Sequence, residues 1–310
     1  MLLKNIQWKN LKKVKGNRIL VQLPDGLKQY SLELMEKLDK QFKGKKQLFL
    51  LVEPTFGACD LAEEKALSLN CQTIIHFGHE KFYKPKVRTI YIPIKIPLNN
   101  KRIVKLVLEK LETKNFNTIV IAGLQQFSFN LKELKKLLEK EKIKVLKTGT
   151  VLGCNYEWLV KAEKKVKCIV FIGEGSFHLN GLLLETVKPV LFVNALGLEG
   201  KWFQELRREQ LVRQKWARIA LAKQAKTFGL IVSTKKGQLL LIQALKAKKL
   251  IEKKGLKAVL LASDLIKPEN FLGLKIDCFV NTACPRIAVD DYQQFNAPVI
   301  NLKDLKEVLN

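Results

Sequence analysis

The six cysteines contain no CxxC pair and no CxxxCxxC triplet. A zinc hairpin built from local pairs is therefore excluded, and any metal site must draw on distant cysteines. No apolar run reaches the roughly 18 residues of a membrane span. The opening stretch MLLKNIQWKNLKKVKGNR has no apolar core of signal-peptide length. These absences lead to the expectation of a soluble, cytoplasmic protein with no membrane partner. Six cysteines in such a compartment do not suggest a disulfide framework. A clear Ser–His–Asp or Cys–His dyad is also missing, and there are only three histidines.

Arginine is scarce too. It supplies eight of the 56 Lys and Arg residues, against 29 Asp and Glu, and the formal net charge is +27. Such a balance suits an acidic partner. Arg-rich base-reading clusters and aromatic RNA-binding signatures are absent, which argues against a sequence-specific nucleic-acid partner. Stretches such as KELKKLLEKEKIK at 132–144 read instead as solvated, lysine-rich helix faces. A hydrophobic content of 47% is ordinary for a globular chain of 310 residues.

What is present is alternation. RILVQLPDGLKQYSLELMEKLDK (18–40) reads as a buried strand, a Pro-Asp-Gly turn and a helix over 27–38. QLFLLVEP (47–54) is a second strand leading to Cys59, with a helix expected from Asp60. TIIHFGHE (73–80) and RTIYIPI (88–94) follow as strands. A second unit repeats the order: TIVIAGLQQFSFNLKELKKLLEK (118–140), then IKVLKTGTVLGCN (143–155), CIVFIGEGSFH (168–178) and PVLFVNA (189–195). The spacing from Cys59 to Gly78 is 19, and so is that from Cys154 to Gly173. Matched spacing and strand order point to a duplication.

The stretch 198–228 lacks Pro and reads as one long helix, with Trp202, Leu206, Val212, Trp216, Ile219 and Ala220 as its apolar stripe. A third unit follows. GLIVSTKKGQLLLIQALKAKKLIEKKG (229–255) and AVLLASD (258–264) come first. DCFVNTACPR (277–286) and APVINLKDLKEVLN (297–310) complete it. Its cysteine, Cys284, comes one strand later than in the other two. The expected fold class is α/β: three similar small domains with parallel sheets flanked by helices, pseudo-threefold around a centre. The expected bounds are 1–97, 98–197 and 198–310, the last including the long helix.

Cys59, Cys154 and Cys284 all fall at carboxyl ends of strands, where such sheets bind ligands. Pro285 suits the first position of a helix, so Cys284 should sit at a helix N-terminus. Cys71, Cys168 and Cys278 lie at or inside strand runs and read as small core residues. Three isolated thiolates, one per unit, suit a cubane iron–sulfur cluster with one iron left open for a substrate. His76, His79 and His178 stand at strand ends and read as polar residues satisfied there. Asp25-Gly26 and Gly173-Glu174-Gly175 offer close backbone approach to a ligand.

Taken together, LPDGLKQY, GACDLA, IHFGHE, VLGCN, IGEGSFH, KPVL and VNTACPRIAVDD resemble the archaeal diphthamide biosynthesis enzymes over nearly the whole chain. These are atypical radical S-adenosylmethionine enzymes. The resemblance implies that Cys59, Cys154 and Cys284 hold a [4Fe–4S] cluster, with S-adenosylmethionine at the open iron. One electron breaks the bond between sulfur and the methionine Cγ. The 3-amino-3-carboxypropyl radical then adds to a histidine of translation elongation factor 2, and methylthioadenosine leaves. No catalytic residue beyond the cluster ligands is implied. Asp25, Gly26, Gly173, Gly175, Arg286 and Asp290 are the expected S-adenosylmethionine contacts, with Asp291 beside them. A homodimer and an external electron donor complete the expectation. Two rivals are a quinolinate synthase-like cluster enzyme, which also joins three α/β domains around three cysteines, and a basic ribosome- or RNA-binding protein.

Overall fold

The structure is a computed structural model that describes residue 6 and residues 8–152, 155–203 and 205–310. Cys154, with Gly153, lies outside the described residues. The chain divides into two compact units, residues 1–174 with 193–200 and residues 175–192 with 201–310.

Three sheets form, and the apolar runs of the sequence are their inner strands. The first comprises β1 (Arg18–Gln22), β2 (Gln47–Leu50), β3 (Thr73–Phe77) and β4 (Arg88–Ile92), in the order β2-β1-β3-β4. The second comprises β5 (Thr118–Leu124), β6 (Lys144–Val151), β7 (Cys168–Gly173), β8 (Val190–Asn194) and β9 (Glu199–Phe203), in the order β6-β5-β7-β8-β9. The third comprises β10 (Thr227–Ser233), β11 (Lys257–Ser263), β12 (Cys278–Asn281) and β13 (Val299–Asn301), in the order β11-β10-β12-β13. Each sheet thus opens with the same second-first-third-fourth order, and the pairs β1–β2, β1–β3, β5–β6, β5–β7, β10–β11 and β10–β12 are parallel. Parallel strands need crossover helices that cover both faces, so their central strands are continuous apolar runs. All five residues of β3 and all six of β7 are buried accordingly.

The helices are α1 (Ser31–Phe42), α2 (Glu63–Ser68), α3 (Asn100–Glu112), α4 (Ser128–Lys140), α5 (Glu157–Glu163), α6 (Phe177–Glu185), α7 (Glu205–Ala222), α8 (Leu241–Lys253) and α9 (Leu305–Leu309). Apolar residues three and four apart bury one face of each longer helix. Leu34 and Leu38 do so in α1, and Leu131, Leu134 and Leu138 in α4. In α3 the stripe is Ile103, Val104, Val107 and Leu111, started by an Asn99 side chain that accepts from the Arg102 amide.

Three expectations change. The long helix of 198–228 is shorter: residues 199–203 form β9, where Phe203 meets Phe192 edge-on at 6.1 Å, and the helix is α7. Trp202 therefore belongs to a strand. Trp216 is 48% exposed, while Leu211, Ile219 and Ala222 are buried in α7; the Leu206 side chain lies outside those described. The helix expected from Asp60 begins only at Glu63, and 57–60 is a turn instead. After Cys284 no α-helix starts. Residues Ile287–Asp291 form a single π-type turn, and a 3-10 turn follows at Tyr292–Gln294. A turn this short aligns few peptide dipoles, so the Cys284 thiolate gains little from a helix dipole.

Candidate cysteine-centred site

Gln22 ends β1 and lies opposite His76 of β3 in the parallel register. It is buried, so its carboxamide must find partners within the protein. Nε2 donates to the Asp60 carbonyl oxygen at 2.6 Å and to Thr55 Oγ1 at 3.3 Å. Oε1 accepts from the Ala62 amide at 3.3 Å. One side chain therefore holds the 55–62 loop at both ends. Inside that loop the Asp60 amide donates to the Gly57 carbonyl at 3.0 Å, closing a turn. The Phe56 amide donates to Asp60 Oδ2 at 3.2 Å. Ala58, Asp60 and Leu61 are buried, whereas Cys59 between them is partly exposed. The loop is anchored around the thiol and leaves the thiol accessible.

Two histidines complete this end of the first sheet. His76 is fully buried, and its Nδ1 lies 3.0 Å from Gln22 Oε1. Its Nε2 lies 2.9 Å from His79 Nδ1. Burial, and then the neighbouring His79, push the His76 pKa down to about 3. His79 is also lowered by burial, with Asp60 opposing. Between the two rings Gly78 takes φ +79°, a conformation that L side chains rarely adopt, and a Cβ there would meet Pro24 Cγ at 2.9 Å. That turn brings His79 back onto His76. At the start of α2 the buried Glu63 accepts from Tyr83 Oη at 3.0 Å and from the Val87 amide at 3.1 Å. Burial and this carboxylate push the Tyr83 pKa upward.

In the other unit, Asn281 ends β12 and does the corresponding work. Its Nδ2 donates to the Cys284 carbonyl at 2.8 Å and to Asn301 Oδ1 at 2.8 Å. Its Oδ1 accepts from the Ala283 amide at 3.0 Å. Thr282 Oγ1 donates to the Ile231 carbonyl at 2.8 Å. Cys284, like Cys59, is partly exposed. Two residues on, Arg286 is 4% exposed, pairs with Asp290 through Nη2, and stacks on Phe177 at 4.5 Å. Its Nε and Nη1 are buried with no hydrogen-bond partner among the described residues. Asn180 Nδ2 donates to Asp290 Oδ1 at 3.4 Å. Asp291 is raised by burial, then by Asp290, with Arg286 opposing.

The remaining expected contacts are placed as follows. Asp25 opens a short 3-10 turn, is exposed, and pairs with Lys28 at 2.6 Å. Beside it, Gly26 has open space where a Cβ would stand. Gly173 ends β7, and Gly175 takes φ +62°. Between these glycines the Glu174 pKa is raised by burial, opposed by its hydrogen bond with Gln126.

The cysteines sort by environment. Cys71, Cys168 and Cys278 are buried, and burial pushes the last two thiols up to about 12. A thiol held protonated is a poor metal ligand. Cys59 and Cys284 are the described cysteines that solvent reaches. Among the described residues no three His, Cys, Asp or Glu side chains gather as a metal site. Cys154, the third cysteine of the expected ligand set, lies outside the described residues. Sulfur donors of this kind fit iron–sulfur ligation. Gln22 and Asn281 were not among the candidates read from sequence. Their one sequence signal is a polar residue closing a buried strand, in ILVQ and FVN.

Comparison with known proteins agrees in sequence and in structure. Residues 23–310 match the family described as "Putative diphthamide synthesis protein". The 2-(3-amino-3-carboxypropyl)histidine synthase of Pyrococcus horikoshii is 34% identical over 97% of this chain and 88% of its own length. The enzyme of the same name from Methanocaldococcus jannaschii is 29% identical over 93% of this chain and 83% of its own. The crystal structure of Dph2 from Pyrococcus horikoshii with a 4Fe-4S cluster superposes with a TM-score of 0.86 at 32% identity, covering 97% of this chain and 88% of that one.

Proposed function

This chain belongs to the diphthamide synthesis family, and we propose from that premise that it is a 2-(3-amino-3-carboxypropyl)histidine synthase. It transfers the 3-amino-3-carboxypropyl group of S-adenosylmethionine to a histidine ring carbon of a target protein, the first step of diphthamide synthesis. The observation that carries the reading is chemical. In a chain aligned over almost its full length with the Pyrococcus enzyme, Cys59 and Cys284 are accessible and clamped at strand ends, while the other described cysteines are buried.

Cys59, Cys154 and Cys284 would hold a [4Fe–4S] cluster. The chemistry supplied there is one-electron reduction of the sulfonium, which breaks the S–Cγ bond and releases methylthioadenosine. The protein's own contribution is positioning. Gln22 and Asn281 fix the loops that carry two of the thiolates. Arg286 offers two buried donor nitrogens without partners among the described residues, and a buried cationic donor left unpaired is costly. A carboxylate such as that of the methionine moiety would satisfy one of these nitrogens, with Asp290 paired to Nη2. Asp25, Gly26, Gly173 and Gly175 are proposed as further contacts to the same molecule. The left-handed backbone at Gly175 supports close approach there.

The target protein is proposed to be translation elongation factor 2, the site of action the cytoplasm, and the working form a homodimer served by an external electron donor. Among the described residues no helix is long and apolar enough to cross a membrane. The three units 1–97, 98–197 and 198–310 are proposed to surround the cluster with approximate threefold symmetry. The shared opening strand order of the three sheets supports this.

The test is anaerobic reconstitution with iron and sulfide, reduction with dithionite, and addition of S-adenosylmethionine. Methylthioadenosine is the expected product, and it should vanish in Cys59→Ala, Cys154→Ala and Cys284→Ala. Release of 5′-deoxyadenosine would overturn the cleavage assigned here.

A further inference from the structure

The hydrogen-bond chain running from Gln22 through His76 to His79 has a fixed direction. The orientation of Gln22 is set twice. Only its amide nitrogen can donate to the Asp60 carbonyl, and only its oxygen can accept from the Ala62 amide. The atom facing His76 Nδ1 is therefore an acceptor, so His76 carries its proton on Nδ1. A buried imidazole is neutral, which leaves Nε2 of His76 as a lone pair. That lone pair accepts from His79, so His79 in turn carries its proton on Nδ1. The chain ends on His79 Nε2, an unprotonated nitrogen with no hydrogen-bond partner among the described residues. This ring is partly exposed. It stands at the carboxyl end of the same sheet as the Cys59 loop, which Gln22 grips. The carboxylate of Asp60, next in the chain to Cys59, is near enough to act on it electrostatically.

We propose that His79 Nε2 is the hydrogen-bond acceptor that receives a ring N–H of the target histidine, with His76 and Gln22 as positioning residues that hold it in that tautomer. The proposal rests on the transfer function given above. The reacting carbon of an imidazole lies between its two nitrogens, so anchoring either nitrogen places that carbon within one bond of a fixed point. Nothing else is required of the target's sequence by this contact, only an N–H donor on a flat five-membered ring. The α-ammonium of S-adenosylmethionine is the other N–H donor that could compete for the same lone pair.

Two measurements test this. The chain has only three histidines, so 15N-histidine labelling of the full chain and two-bond proton–nitrogen correlation spectra resolve each tautomer. His76 and His79 should both show protonated Nδ1 and bare Nε2. A His79 signal with the proton on Nε2 overturns the proposal whatever the enzyme does. The second measurement is coupling, the ratio of modified target to methylthioadenosine formed. His79→Asn retains a donor in the place of Nδ1 and removes the Nε2 acceptor. That ratio should fall about tenfold or more, the loss of one hydrogen bond plus the positioning it enforces. His79→Gln, which restores an acceptor near the Nε2 position, should recover part of it. A ratio unchanged in His79→Asn overturns the proposal. So does a parallel fall of methylthioadenosine and modified target, which would give the lone pair to the ammonium of S-adenosylmethionine. Failure of the wild-type chain to form methylthioadenosine at all counts against the transfer function itself, and the tautomer spectra still decide the hydrogen-bond chain.

Discussion

The loop of Cys59 and the loop of Cys284 reach the same local result by different routes. Each cysteine is partly exposed in a loop held by one buried carboxamide that closes a strand. For Cys284 the clamp is local: Asn281 sits three residues upstream, on the strand that feeds the loop. For Cys59 it is remote, because Gln22 belongs to the neighbouring strand and reaches residues 33 to 40 positions away. The surroundings differ as well. Neutral, hydrogen-bonded histidines flank the first loop, and a buried arginine paired with a partly exposed aspartate flanks the second. Neutral imidazoles suit a neutral ring substrate, and a guanidinium with free N–H groups suits an anion.

The thiols themselves should not differ. Cys59→Ala and Cys284→Ala are each expected to abolish methylthioadenosine formation and to lose most of the reconstituted iron. A single alanine variant that retained full iron and turnover would break the equivalence. Cys71→Ala should keep both, since its thiol is buried and raised by that burial.

Next in size is the anionic side. Arg286→Ala leaves Asp290 without its cation and removes the two unpartnered donors. Asp290 is 28% exposed, so the stability loss is discounted to ~2 kcal/mol. The larger effect is on the donor substrate, whose KM should rise at least about tenfold. Arg286→Lys should not rescue it, because a point charge does not reproduce a stacked planar fork on Phe177. An unchanged KM for S-adenosylmethionine would remove Arg286 from its binding site.

The clamps come third. Gln22→Ala leaves several buried partners unsatisfied at once, and Asn281→Ala leaves fewer. Unfolding in denaturant should show a loss of ~2–3 kcal/mol for the first and ~1–2 kcal/mol for the second. Equal losses would mean that the remote clamp carries no more than the local one.

That contrast also explains what the sequence reveals. Strands such as TIVIAGL and CIVFIG are apolar throughout, because both faces of a parallel sheet are covered, and they are legible without any partner. The Cys284 turn is half legible, since Asn281, Cys284 and Pro285 share one short motif. Its continuation is not, because Pro285 suits a helix start, yet the pairing of Arg286 with Asp290 goes with a single π-type turn. The Gln22 clamp depends on which strands become neighbours, and only the register Gln22–His76 discloses it. Residues 199–203 mislead for a related reason. They lack helix breakers apart from Gly200, but pairing as the last strand of the second sheet outweighs local propensity there.

The smallest expected effect belongs to the histidine side. The folded pKa of His76 is depressed to about 3 and that of His79 is lowered, both first by burial. A histidine kept neutral by folding charges more readily in the unfolded chain. Its contribution is therefore fully present above the unfolded value of about 6.5 and is lost as pH falls from there toward the folded value. Between pH 7.5 and 6 the loss should be under about 1 kcal/mol per histidine. Below pH 6 it should steepen toward ~1.4 kcal/mol per unit for His76. Most carboxylates titrate below pH 5, and the raised Glu174 and Asp291 are common to wild type and variant, so denaturant midpoints compared from pH 7.5 to 5.5 report the imidazole that is removed. His76→Asn should flatten that slope, and Asn281→Ala on the other loop should leave it intact. A slope that survives the loss of His76 would place the acid-sensitive groups elsewhere and would end the distinction between a neutral loop and a charged one.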